Sequence, residues 1–194
     1  MVINPSLTSS VLTELCLVEL LVQLTWQIEP DPYLTDRIQS TYETPLKFAQ
    51  IGYKNAIFHH PEHNILRPII RVALPSMAIP RRNRPDRDDH IITLVTSLLR
   101  NLVEISGRNV QAAGVDQQKN EYSQSETILS FERSDLFNVI AALAAGAMDE
   151  YEKIDCLTLE ILYHLLKGVN VEDVLTITSG VRYVLTCLCY HPDL

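Results

Sequence analysis

Apolar residues recur at three- and four-residue steps through most of this chain, and each such run predicts an amphipathic helix. Leu12, Leu15, Val18, Leu21, Val22 and Leu24 mark the first, from Val11 to Ile28, with Thr8, Ser9 and Ser10 as N-cap candidates and Pro30-Asp31-Pro32 as its stop. A second helix is predicted over 34–42. Thr44 and Pro45 look like the cap and first residue of a third, reaching Phe58. Pro61 opens a fourth through Ile65, Leu66, Ile69, Ile70 and Val72, and Pro68 inside it predicts a kink or a short first turn. Residues 75–85 hold Pro75, Pro80 and Pro85 and read as a non-helical turn.

A strong helix follows from Arg87 to Ile105, with Ile91, Leu94, Val95, Leu98, Leu99, Leu102 and Val103 inward and Asp86, Asp88 and Asp89 at the positive end of its dipole. Residues 106–126 are rich in Gln, Asn and Ser and predict a mobile connection. Ser134 caps a helix reaching Ala147, with Leu136, Val139, Ile140 and Leu143 inward. Another, over 149–167, turns Ile154, Leu157, Ile161, Leu162, Leu165 and Leu166 inward and stops at Gly168. A short capped helix at 171–177, bracketed by Asn170 and Asp173, and a last apolar stretch at 181–190 that could form one more helix complete the set, and no strand pattern occurs. The runs starting at Cys16, Leu94 and Cys156 resemble one another, about 78 and then 62 residues apart. The expected fold is therefore all-α, a degenerate armadillo/HEAT-like helical repeat (α-solenoid) fragment, with helices packed mainly on sequence neighbours. A single irregular bundle is the alternative.

Composition narrows the function. The net charge of −8 argues against a protein that coats nucleic acid generally. The charge is uneven: residues 61–100 carry a net +3, against −3 before them and −8 after them. Cys16, Cys156, Cys187 and Cys189 form no CxxC pair, and the first and second sit in apolar helical runs as small buried hydrophobes, which suits a reducing compartment. No basic leader opens the chain and no apolar run is long enough to span a bilayer, so an intracellular, soluble protein is expected, with no membrane partner.

Candidate chemistry is sparse. His59 and His63 stand four apart, but Pro61 interrupts them and no HExxH glutamate is present, so they read as solvated turn residues rather than metal ligands. Phosphate-cradling loops and nucleophile elbows are absent. Asp149, Glu150 and Glu152 open a helix, where the dipole accounts for them. No catalytic residue, cofactor, metal or small-molecule substrate is expected. The basic island has more content: Arg67, Arg71, Arg81, Arg82, Arg84 and Arg87 suit a phosphate backbone or an acidic partner. Internal pairing with Asp86, Asp88 and Asp89 would instead neutralise Arg84 and Arg87. Arg81, Arg82 and Arg84 lie between the prolines and are expected to project from the array.

Beyond these patterns, specific segments carry a resemblance. Asn64-Ile65-Leu66-Arg67-Pro68-Ile69-Ile70-Arg71, then Ala73-Leu74-Pro75 and Asp88-Asp89-His90-Ile91-Ile92, resemble the N-terminal region of the Timeless family, the large subunit of the replication fork protection complex. Leu99-Arg100-Asn101-Leu102-Val103 is similar to that family's R-N-[IV]-L helix, and Leu20-Leu21-Val22-Gln23-Leu24-Thr25-Trp26 to its L-V-x-L-T helix. Ser134-Asp135-Leu136-Phe137 and Leu159-Glu160-Ile161-Leu162-Tyr163 resemble the helix pair that follows.

The resemblance covers roughly residues 10–175. It implies a Timeless-like helical-repeat domain over 1–175 without catalytic activity, and a nuclear role in fork pausing and the replication checkpoint. The implied partners are a Tipin-like small subunit, the replicative helicase and parental duplex DNA. The family has a further helix or two before the Leu12 helix and a basic stretch after the region matched by residue 175. Residues 176–194 are instead expected to form a divergent apolar tail with a truncated end. A generic armadillo-like adaptor that never meets DNA is the competing expectation, and a hydrolase with an unrecognised site a distant third.

Overall fold

The computed structural model describes residues 5–29, 31–33, 35–105, 124–145 and 152–167. Seven α-helices and one 3-10 turn lie among them, with no strand. They are α1 (Pro5–Leu24), α2 (Asp36–Phe58), α3 (Leu66–Met77), the 3-10 turn Arg81–Asn83, α4 (Asp86–Glu104), α5 (Gln124–Arg133), α6 (Leu136–Ala145) and α7 (Glu152–Leu166). The chain is an all-α helical-repeat fragment, as its periodicity predicts.

One helix organises the rest. α4 packs most extensively on α7, then on α3 and α1. Leu98, Leu99 and Leu102 are wholly buried at its centre, with Ile91, Ile92 and Val95 also in the core. Val18 and Val22 of α1, Leu66, Ile69 and Ile70 of α3, and Ile161 and Leu165 of α7 join the same core. Contacts between sequence neighbours were the expectation, but α4 is closed by α7, three helices further on. The apolar arc of α4 is wide enough to serve three neighbours, and a helix with so broad an arc is a central one.

Local chemistry moved several boundaries. α1 begins at Pro5, ahead of the expected cap residues, with proline at a first helical position where its missing N–H costs nothing. The two helices expected over 34–58 are one, because α2 runs through Pro45. Its turns on either side of that proline are tied by Gln39 and Lys47, both hydrogen-bonded to Glu43. These two contacts hold the Glu43 carboxyl below the ordinary carboxylate range, Lys47 having the larger effect. α3 also continues past Pro75 to Met77, so the turn between α3 and α4 is shorter than the three prolines suggested. α5 was not expected. Its wholly buried Phe131 stacks edge-on with Phe58 and Phe137, and it carries buried Thr127 and Ser130 that mask its apolar face in the sequence.

Three further expectations change. Cys16 and Cys156 are exposed free thiols rather than core residues. Leu12 and Leu166, expected inward, are 58% and 61% exposed. Most of the predicted connection 106–126, the stretches at 171–177 and 181–190, and Cys187 and Cys189 lie outside the described residues. Among the described residues no helix is long and apolar enough to cross a membrane.

Candidate functional site

The six arginines of the basic island divide by what surrounds them. Arg84 does not project. Its side chain is 8% exposed, its Nη1 donates to Asp89 Oδ1 at 3.2 Å, and its Nη2 donates to the Ile79 carbonyl at 3.0 Å. The expected outward role of Arg84 is therefore corrected: the 3-10 turn folds back on the first turn of α4, where Asp89 is 6% exposed and claims the guanidinium. Ser76 closes the same corner by donating to Asp88 Oδ1 at 2.6 Å. Arg67 is exposed but engaged, its Nη2 donating to the Arg133 carbonyl at 3.1 Å and lying 3.4 Å from Asp135 Oδ2. Arg71, Arg82 and Arg87 are exposed and make no ion pair among the described residues. The Arg81 backbone belongs to the 3-10 turn, and its side chain lies outside the described residues. The cationic surface is thus narrower than the sequence suggested.

His59, His60 and His63 are exposed in the turn after α2. His60 and His63 stack with ring centroids 5.6 Å apart, and no group of three potential metal ligands occurs among the described residues.

A second polar constellation sits where α1, α4 and α7 meet. Asn101, 1% exposed, donates through Nδ2 to the Val22 carbonyl and to Thr25 Oγ1, both at 3.2 Å. Thr25 in turn donates to the Leu21 carbonyl at 2.7 Å and closes the last turn of α1. Beside it, Arg100 lies over the Trp26 ring at 5.7 Å and donates to Glu104 Oε2 at 2.9 Å. Its Nε is 3.0 Å from Glu160 Oε2 on α7, a charge contact without hydrogen-bond alignment. The L-V-x-L-T and R-N-L segments, 76 residues apart at Thr25 and Asn101, are therefore the two halves of one joint. Burial holds His164, next to this cluster, below its ordinary value.

Lys54 is the buried cation that the periodicity did not single out. It is 2% exposed, donates to the Ile105 carbonyl at 2.8 Å just past the end of α4, and lies over the Phe58 ring at 5.4 Å. Burial pushes its ammonium down to about 8. The sequence signal was its position three residues from both Ile51 and Ile57, each in the core.

These features define an all-α helical-repeat fragment, built around a polar joint and edged by a few exposed cations. Comparison with known proteins is consistent with that class and narrows it. The family model described as Timeless protein matches residues 5–182. The chain belongs to the Timeless family. It is similar to proteins named Topoisomerase 1-associated factor 1, at 40% identity over 158 residues in Aspergillus oryzae and 41% over 159 residues in Neosartorya fischeri, in each case 81% of this chain. The Phaeosphaeria nodorum protein of the same name is 37% identical over 154 residues, 79% of this chain. The matched region spans 13% of the length of each of these relatives.

Proposed function

We propose that this chain is a non-enzymatic scaffold piece of a replication-fork protein, acting in the nucleus through protein partners and through contact with duplex DNA. Family membership supports the fork-associated role. The relatives' name supports association with a DNA topoisomerase. A Tipin-like small subunit and the replicative helicase are the further partners, and fork pausing with checkpoint support is the activity. The observation that carries the DNA contact is the set Arg71, Arg82 and Arg87, cations left exposed in a chain of net charge −8. Guanidiniums on an exposed edge suit phosphate oxygens and give binding without sequence preference.

A second reading, an adaptor that never meets DNA, gains support from Arg67 and Arg84, both engaged within the fold. The two separate by salt titration of binding to a duplex of arbitrary sequence. Under the DNA reading, changing Arg71, Arg82 and Arg87 together to Ala weakens binding and lowers the salt slope by roughly one unit per lost phosphate contact. Unchanged binding by the triple variant would favour the adaptor. Affinity capture from nuclear extract, read by mass spectrometry for helicase and small-subunit components, tests the protein partners.

A further inference from the structure

A notch of about 280 Å³ opens between the turn that joins α2 to α3 and the turn that joins α5 to α6. Small-molecule and cofactor sites run from roughly 300 to 1,000 Å³, so this volume suits one inserted side chain rather than a cofactor. Phe58 and Leu66 line its apolar part, Asn64 and Ser134 its polar wall, Arg133 supplies its cation and His60 a ring donor.

Both walls are braced. Asn64 and Ser134 hydrogen-bond each other at 3.0 Å, and Ser134 donates to the Ser130 carbonyl at 2.7 Å. Arg67 reaches across to hold the Arg133 carbonyl and Asp135. Asp135 sits at φ 60, where glycine is the usual occupant, and such strain persists where surrounding contacts over-determine it. Two donors remain. The Arg133 guanidinium makes no hydrogen bond or ion pair among the described residues. His60 accepts the backbone N–H of His63 on Nδ1 at 3.2 Å, which leaves the ring's other nitrogen, Nε2, as a donor. Glu62 also lines the notch and Asp135 stands in the turn beside it, so the local charge is balanced rather than strongly positive. A phosphate backbone, with its dense negative charge, fits that balance poorly, whereas a single carboxylate can be met by one guanidinium and one ring N–H that have no other hydrogen-bond partner among the described residues.

We propose that this notch is a receptor for an acidic side chain of a partner protein, whose carboxylate is held by the Arg133 guanidinium and the His60 Nε2–H.

The test follows the Arg Nε–H and His ring signals of the 194-residue chain by NMR during titration with N-acetyl-glutamate N-methylamide. The glutamine counterpart and inorganic phosphate are run in parallel. Saturable shifts at Arg133 and His60 are expected, with the glutamate probe bound about tenfold more tightly than the glutamine one. Arg133→Gln should abolish that preference. Arg133→Lys, which keeps the charge but loses the two-pronged fork, should retain part of it. Equal response to glutamine, stronger response to phosphate, no saturable response up to the probe's solubility, or a preference that survives Arg133→Gln would each overturn the proposal.

Discussion

At the scale of single residues, the buried polar groups set the clearest expectations. Lys54 is charged at neutral pH in a site that disfavours the charge, with its ammonium pushed down to about 8. Between that value and the unfolded lysine range near 10.4, the unfolded chain holds more protons than the folded one, so stability contributed by this site rises with pH. Below about 8 the full penalty applies, on the order of 3 kcal/mol, offset by about 1 kcal/mol from the bond to Ile105. Lys54→Met should therefore raise the melting temperature at pH 7, and the difference from the unmodified chain should shrink by pH 10. Thermal unfolding followed by circular dichroism at both pH values checks this. Asn101 is the opposite case, because it supplies the donors of the α1–α4 joint. Asn101→Ala should cost about 2–3 kcal/mol in urea unfolding, since it leaves the buried Thr25 hydroxyl and Val22 carbonyl short of a donor.

At the scale of elements, the corner between α3 and α4 depends on a buried ion pair that is only partly satisfied. Arg84 Nε and Asp89 Oδ2 have no hydrogen-bond partner among the described residues. Breaking such a pair strands a charge, whereas replacing both members with apolar groups removes the desolvation cost. Arg84→Met alone should lower stability by about 3–5 kcal/mol, and the double change with Asp89→Leu should recover most of the loss, as measured by urea unfolding. Pro45 offers a test of α2. A proline inside a helix costs about 3 kcal/mol, so Pro45→Ala should raise helical ellipticity by circular dichroism and stability in urea unfolding.

Legibility in the sequence follows the same division. The core faces of α4 and α6 were readable because their apolar positions keep a strict helical period. α5 was not, because Thr127 and Ser130 fill core-facing positions and hide its stripe. The prolines misled twice, since Pro45 and Pro75 both lie inside helices. Of the basic island, the composition was legible but the allocation was not. Which aspartate captures which arginine depends on how the turn folds back, and Asp89 rather than Asp86 takes Arg84. Asn101 and Thr25 stood out as parts of similar segments, yet their bond is a long-range one that no local pattern reports.

For the whole molecule, the arginine surface should separate from stability. Exposed charges contribute little to folding, so Ala at Arg71, Arg82 and Arg87 should leave the melting temperature within a degree or two while reducing DNA affinity. A fall in stability with binding unchanged would reverse the assignment.

The central place of α4 also has a consequence for how the chain is made. Its partner α7 begins at Glu152, and translation at about 5–20 residues per second places α7 several seconds behind α4. During that interval the side of α4 that α7 will cover is an open apolar strip on a nascent chain. Nearest-neighbour repeats can zip up as they emerge, whereas a contact this distant in sequence must wait for loop closure. Synthesis of this region should therefore depend on holding chaperones, and slow elongation between codons 105 and 152 should increase aggregation rather than relieve it.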